Sequence, residues 1–142
     1  MATDENKALI RRFFDEVFNR GSLAAIDELW IAGREATGKR STMNLRTAFP
    51  DYHRTIEAQI AEGDLVTTRW IARGTHRGPY FSEALGRSIA PTGTPIEVRG
   101  VSIHRIADGR IVDAWVMGND SLELLQQLGA IPAADPADAV AR

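Results

Sequence analysis

Gly100-Val-Ser-Ile-His-Arg-Ile-Ala-Asp-Gly-Arg-Ile-Val-Asp-Ala-Trp-Val-Met-Gly-Asn-Asp120 decides how this chain folds. Two runs rich in β-branched and aromatic residues meet at Asp108-Gly109, a dipeptide suited to a tight hairpin because glycine takes positive φ at no steric cost. The second run carries the carboxylate of Asp120 to its far end, and Leu122, Leu125 and Leu128 follow at the spacing of a short helix. A carboxylate at the rim of an apolar sheet is a candidate acid-base group.

Upstream, the period-two pattern continues. Ile56, Ala58 and Ile60 alternate with Glu57 and Gln59 until Glu62-Gly63-Asp64 turns the chain, and Leu65 to Thr75 reads as a second strand. A long loop from Gly78 to Gly93 separates these strands from the last two. The N-terminal third is helical: Leu9, Ile10, Phe13, Phe14, Val17 and Phe18 share one stripe, Thr3 or Asp4 supplies a cap, and Gly21 ends the helix. Ser22 caps a second helix with Leu23, Ile26 and Leu29 inward. Gly33 to Arg40, small, polar and basic, reads as a loop, followed by a short third helix around Met43, Leu45, Ala48 and Phe49 that Pro50 stops. Helices first and antiparallel strands afterwards predict an α+β fold, with the helices packed on one face of a strongly curved, mainly antiparallel sheet. Such a cone has an apolar interior open at one end, a natural place for a small hydrophobic ligand. The other face of the sheet, with Trp70 or Ile71 on it, has no third layer to cover it, which predicts a homodimer. Residues 1–131 read as a single domain, and the tail from Pro132, poor in large apolar residues, as disordered.

Composition removes several classes of function. With 17 basic against 19 acidic residues the net charge is -2, so nothing draws the chain to a phosphate backbone, and nucleic acid is not an expected partner. There is no cysteine, hence no disulfide and no thiolate metal site. The histidines, His53, His76 and His104, stand too far apart in sequence to suggest a metal site, and no metal is expected. No apolar run is long enough for a bilayer and the N-terminus is polar, so the chain reads as a cytoplasmic protein with no membrane partner.

Phe49-Pro-Asp51, Glu62-Gly-Asp64, Gly74-Thr-His-Arg-Gly78, Pro91-Thr-Gly93, Asp108-Gly-Arg-Ile-Val-Asp-Ala-Trp115 and Asp120 before Gln126-Gln-Leu-Gly129 together resemble the SnoaL-like polyketide cyclase (ester cyclase) family. The resemblance implies the nuclear transport factor 2-like cone, usually a homodimer, and an intramolecular aldol condensation on aromatic polyketide intermediates without metal or cofactor. It also implies that Asp120 is the acid-base carboxylate. The chain departs from the family between Trp30 and Phe49, which looks shortened by about a dozen residues, so that one pocket wall is expected to be missing, shifted or supplied by a partner subunit.

The residues themselves leave two readings at most positions. Asp120 is either the base or the N-cap of the last helix. His104, on the strand before the hairpin, either helps by polarising a carbonyl or is a buried histidine bonded to a neighbour. His76 either touches the ligand or fixes the loop after it. Arg99 either donates to an enolate oxygen or faces solvent. Trp70, Tyr80, Phe81 and Trp115 are either flat walls for an aromatic ligand or ordinary core. Two classes of function remain: a cofactor-independent cyclase or a related isomerase, dehydratase or hydrolase, with a hydrophobic carbonyl compound as substrate, and a non-catalytic small-molecule-binding or dimerisation module of the same fold.

Overall fold

The computed structural model describes residues 2–132; beyond Pro132, the tail read above as disordered lies outside them. The first apolar stripe forms α1 (Ala2–Phe13), which starts ahead of Thr3 and Asp4 and therefore uses neither as a cap. It continues into a π-helical turn, Phe14–Asn19, where Arg20 N donates to Asp15 O at 2.9 Å. The wider turn brings Phe18 beside Phe13, their rings 5.4 Å apart. Ser22 caps α2 (Leu23–Leu29) as expected, its Oγ accepting from Ala25 N at 3.2 Å.

The third helix corrects the sequence reading. α3 (Glu35–Ala48) spans 14 residues and takes in most of the segment read as a loop. Gly38 answers a packing demand: a Cβ there would lie 3.0 Å from Trp30 Cδ1 and 3.2 Å from Ile26 Cγ2, so a larger residue would push these side chains back.

Six strands follow: β1 (His53–Glu62), β2 (Leu65–Thr75), β3 (Tyr80–Ser82), β4 (Arg87–Ile89), β5 (Pro95–Ala107) and β6 (Arg110–Met117), and then α4 (Leu122–Gln127). The main sheet runs in the order β1-β2-β5-β6 with every pair antiparallel, while β3 and β4 form a separate hairpin. At the last turn Asp108 (φ +52°) and Gly109 (φ +72°) are both left-handed and Ala107 pairs with Arg110, the two-residue turn whose twist matches that of its strands. The α+β architecture expected from the sequence is present, with α1 to α3 covering the concave face of the sheet.

Each edge strand holds one extra residue. Glu57 is unmatched between the pairs Ile56–Trp70 and Ala58–Arg69, and Val112 between Ile106–Ile111 and Arg105–Asp113. A bulge shifts all residues beyond it to the opposite face. Ile56 consequently faces the helices, whereas Ala58 and Ile60 face outward, so the three do not share a face as the alternation suggested. Trp70 is also inward and fully buried; of the two residues proposed for the outer face, only Ile71 lies there. That outer face exposes Ile60, Trp115 and Met117. No described helix is long and apolar enough to cross a membrane.

Trp70 lies over Gly100, its neighbour on β5. A Cβ at Gly100 would overlap the Trp70 ring and come within 2.6 Å of Met117 O. Gly100→Ala is expected to lower stability by about 1–3 kcal/mol, the usual cost of overpacking a core, read as a lower urea midpoint at unchanged slope.

Candidate functional site

A cavity of about 360 Å³ lies between the concave face of the sheet and the helices. Its apolar wall comes from Phe13, Val17 and Phe18 at the end of the first helix and from Ile26, Trp30 and Ile31 around α2. Trp30 stacks flat on Phe13, ring centroids 5.4 Å apart and planes 7° from parallel. The opposite wall is polar. Thr37, Gly38, Ser41, Thr42 and Leu45 recur along α3 at the spacing of one helical face, with Arg34 at its start. The wall expected to be missing between Trp30 and Phe49 is this helix. From the sheet come Arg54, Ser102, His104, Ala114 and Val116, with Asn119 beside them.

Arg54 is the residue that sequence reasoning missed. The bulge at Glu57 pairs it with Ala72, on the inward face, and leaves it 2% exposed. Its guanidinium carbon lies 3.8 Å from the ring centroids of both Phe18 and Trp70, close enough for a strong cation-π attraction. Nε donates to Tyr52 Oη at 2.8 Å and Nη2 to Asn119 Oδ1 at 2.6 Å. The backbone is tied as well: Asn19 Oδ1 accepts from Arg54 N (2.7 Å) and Asn19 Nδ2 donates to Arg54 O (3.1 Å). Burial lowers its pKa, but a guanidinium titrates so high that it stays charged at any ordinary pH. Arg54 forms no ion pair with any carboxylate of the described residues.

His104 sits on the inward face of β5, opposite Ala114, and lines the same cavity. It is 2% exposed, with the edges of Phe13 and Phe14 at 6.0 and 6.5 Å, and its buried Nδ1 has no hydrogen-bond partner. Burial first, and the nearby charge of Arg54 second, pull its pKa down to about 4. At neutral pH the ring is therefore uncharged. Two residues along the same face, Ser102 Oγ accepts a hydrogen bond from Trp70 Nε1 at 2.9 Å, which leaves the Ser102 hydroxyl proton free to donate.

The other sequence-derived candidates lie elsewhere. Asp120 is outside the cavity lining; its Oδ1 accepts from Tyr80 Oη (3.0 Å) and its Oδ2 from Ser82 Oγ (3.1 Å) and Ala84 N (2.8 Å). With three donors already on it, the carboxylate clamps the β3–β4 hairpin to the end of β6. Nor is it the helix cap, since Ser121 Oγ takes that position by accepting from Leu124 N at 3.2 Å. Tyr80 is buried against Phe49, and burial together with the Asp120 charge raises its pKa, which keeps it a hydrogen-bond donor. His76 is fully buried: Nδ1 accepts from Thr92 N at 3.2 Å and stands 3.0 Å from Thr92 Oγ1, which holds the loop, and burial lowers its pKa. Trp70 is core under Arg54, Phe81 is on the surface with its backbone bonded to Asn44, and the bulge at Val112 turns Trp115 to the outer face. Arg99 borders a larger open depression of about 690 Å³ between the sheet and α4, where Arg73 and Glu97 pair at 2.7 Å. Its open, self-neutralised surface offers a small ligand little enclosure, and the smaller cavity with its buried cation and free imidazole is the better candidate.

A model of the SnoaL-like polyketide cyclase family matches residues 8–128. Among solved structures, AclR of Streptomyces galilaeus, a proposed hydroxylase, gives a TM-score of 0.78 at 24% identity, over 98% of this chain and 90% of its own. A proposed polyketide cyclase from Acidithiobacillus ferrooxidans gives 0.72 at 25% identity, over 89% and 95% respectively. Wild-type IdmH of Streptomyces antibioticus, also a proposed polyketide cyclase, is 30% identical with a TM-score of 0.65, over 87% of this chain and 98% of its own. No curated protein matches the chain.

Asp120→Asn retains shape but replaces an acceptor of three hydrogen bonds by a group that accepts on one atom only. Stability is expected to fall by about 1–3 kcal/mol, with the Ala84 amide exchanging faster in a hydrogen-exchange measurement. An unchanged Ala84 exchange rate would contradict the clamp.

Proposed function

Because the chain belongs to the SnoaL-like polyketide cyclase family, we propose that it closes a ring in a hydrophobic, polyketide-type carbonyl compound by a cofactor-independent intramolecular aldol condensation, with His104 carrying the proton. The observation behind this reading is the imidazole of His104, which lines the cavity and is held uncharged by burial and by the charge of Arg54. A neutral imidazole accepts a proton from the carbon between two carbonyls, and the electron pair moves into the enolate. Ser102, held by Trp70 Nε1, donates its hydroxyl to the enolate oxygen. The enolate carbon then attacks the second carbonyl carbon within the same molecule, a carbon–carbon bond forms, and the new alkoxide takes the proton back from the imidazolium. Protons balance over the cycle. The walls of Trp30 and Phe13 orient a planar substrate.

A second reading, a binding module that holds a small apolar ligand without turning it over, is favoured by one observation: no Asp or Glu lines this cavity among the described residues. The two readings differ in what His104 does. His104→Gln is expected to lower kcat about 10²- to 10⁴-fold, the usual worth of a general acid-base group, while ligand affinity stays within a few fold. In the wild-type enzyme the rate is expected to fall as pH drops through about 4, where the folded protein's His104 takes up its proton. Turnover in His104→Gln at the wild-type rate would leave the binding reading.

We also infer that the protein is a homodimer paired through the outer sheet face. Ile60 (72% exposed), Met117 (76%) and Trp115 (47%) expose large apolar side chains on that face, which a partner would cover. Light scattering is expected to give twice the chain mass, and Trp115→Glu to shift it toward the monomer; a wild-type monomer at micromolar concentration would contradict the assignment.

A further inference from the structure

We propose that the ligand of this cavity carries a carboxylate that pairs with Arg54, so that the substrate is a free acid and not its neutral ester. The inference rests on reading the cavity as the substrate site, and it gives Arg54 the role that the proton relay leaves unassigned.

A guanidinium taken out of water needs an anion or a full set of acceptors. Arg54 has neither. Its five N–H groups meet two acceptors, Tyr52 Oη and Asn119 Oδ1, and both are neutral. Nη1 makes no hydrogen bond to the described residues, and the aromatic rings of Phe18 and Trp70 supply attraction without accepting a proton from the edge of the fork. The surroundings repeat the pattern: the charged side chains lining the cavity are Arg34 from α3 and Arg54 from β1, both cationic. A carboxylate entering here would find a desolvated cation with an open donor, the arrangement that gives charge-assisted hydrogen bonds their strength. A volume of about 360 Å³ accommodates a bicyclic aromatic acid, with its ring between the Trp30–Phe13 stack and the hydroxyls of Thr37, Ser41 and Thr42.

Occupancy would also act on the proton carrier. Phe13 and Phe14 from the first helix and Arg54 from β1 stand near His104, Arg34 lines the same cavity, and among the described residues no carboxylate lines it. The charge of Arg54 is one of the two causes that hold the His104 pKa down. A ligand anion on Arg54 cancels that cause and raises the pKa, making the imidazole a stronger base only when the acid is bound.

The test compares 2-naphthoate with methyl 2-naphthoate by isothermal titration calorimetry at neutral pH, and follows the His104 ring by NMR during a pH titration with and without naphthoate. The wild-type protein is expected to bind the acid at least tenfold more tightly than the ester, with the His104 midpoint moving up on binding. Asn119→Asp sets a built-in carboxylate against Nη2 at an exposed position and is expected to remove both the preference and the shift; Arg54→Met should do the same, with circular dichroism checking that it folds. Equal or tighter binding of the ester, binding of neither probe, or a preference that survives Asn119→Asp would overturn the proposal. None of these measurements needs turnover, so a failure of the His104 relay leaves this result readable, and the reverse also holds.

Discussion

Each edge strand of the four-stranded sheet contains one residue more than its neighbour can pair with, Glu57 in β1 and Val112 in β6, and the interior of the molecule depends on those two irregularities. Side chains alternate along a strand, so an extra residue moves everything beyond it to the other face. Were Glu57 paired in a regular ladder, Arg54 would stand opposite Arg73 on the outer face; with the bulge, the guanidinium enters the core beside Trp70. Were Val112 paired in a regular ladder, Trp115 would stand opposite Ser102 and fill the cavity; with the bulge, the small Ala114 and the modest Val116 point inward and the space stays open. One bulge supplies the cation and the other the room.

Burying that cation is costly, and the packing around it shows how the cost is met. Phe18 and Trp70 lie against the guanidinium, Tyr52 and Asn119 accept from it, and Asn19 ties both its backbone groups to the start of β1. Phe18 is in reach because the first helix widens into a π turn after Phe13. A fixed positive charge in a dry site also acts at a distance: together with burial it leaves His104 without its proton, which is the state a base needs. The same field favours any negative charge that enters or develops in the cavity.

The motifs that carry the family resemblance have mostly structural work. Asp120 gathers Tyr80, Ser82 and Ala84, and His76 latches the loop through Thr92, so both polar groups hold irregular backbone against the cone and neither reaches the cavity. Hydrogen-bonding capacity is left over elsewhere, at His104 Nδ1, which is buried without a partner, and at the hydroxyl proton of Ser102.

The amino-acid sequence by itself determined the α+β class, the four long strands, the tight turn at Asp108-Gly109 and the Ser22 cap, because each depends on neighbours within a few residues along the chain. It missed the β3–β4 hairpin, which lies within the Gly78 to Gly93 segment read as a loop, and the full length of α3, whose small residues resemble a loop until Trp30 is seen to need the space above Gly38. Only the tertiary structure decided which way Arg54, Trp70 and Trp115 point and that Asp120 is occupied. A bulge is set by the mismatch between two paired strands, and the Asp120–Tyr80 bond joins groups 40 residues apart, so neither leaves a period or a spacing for local reading to find.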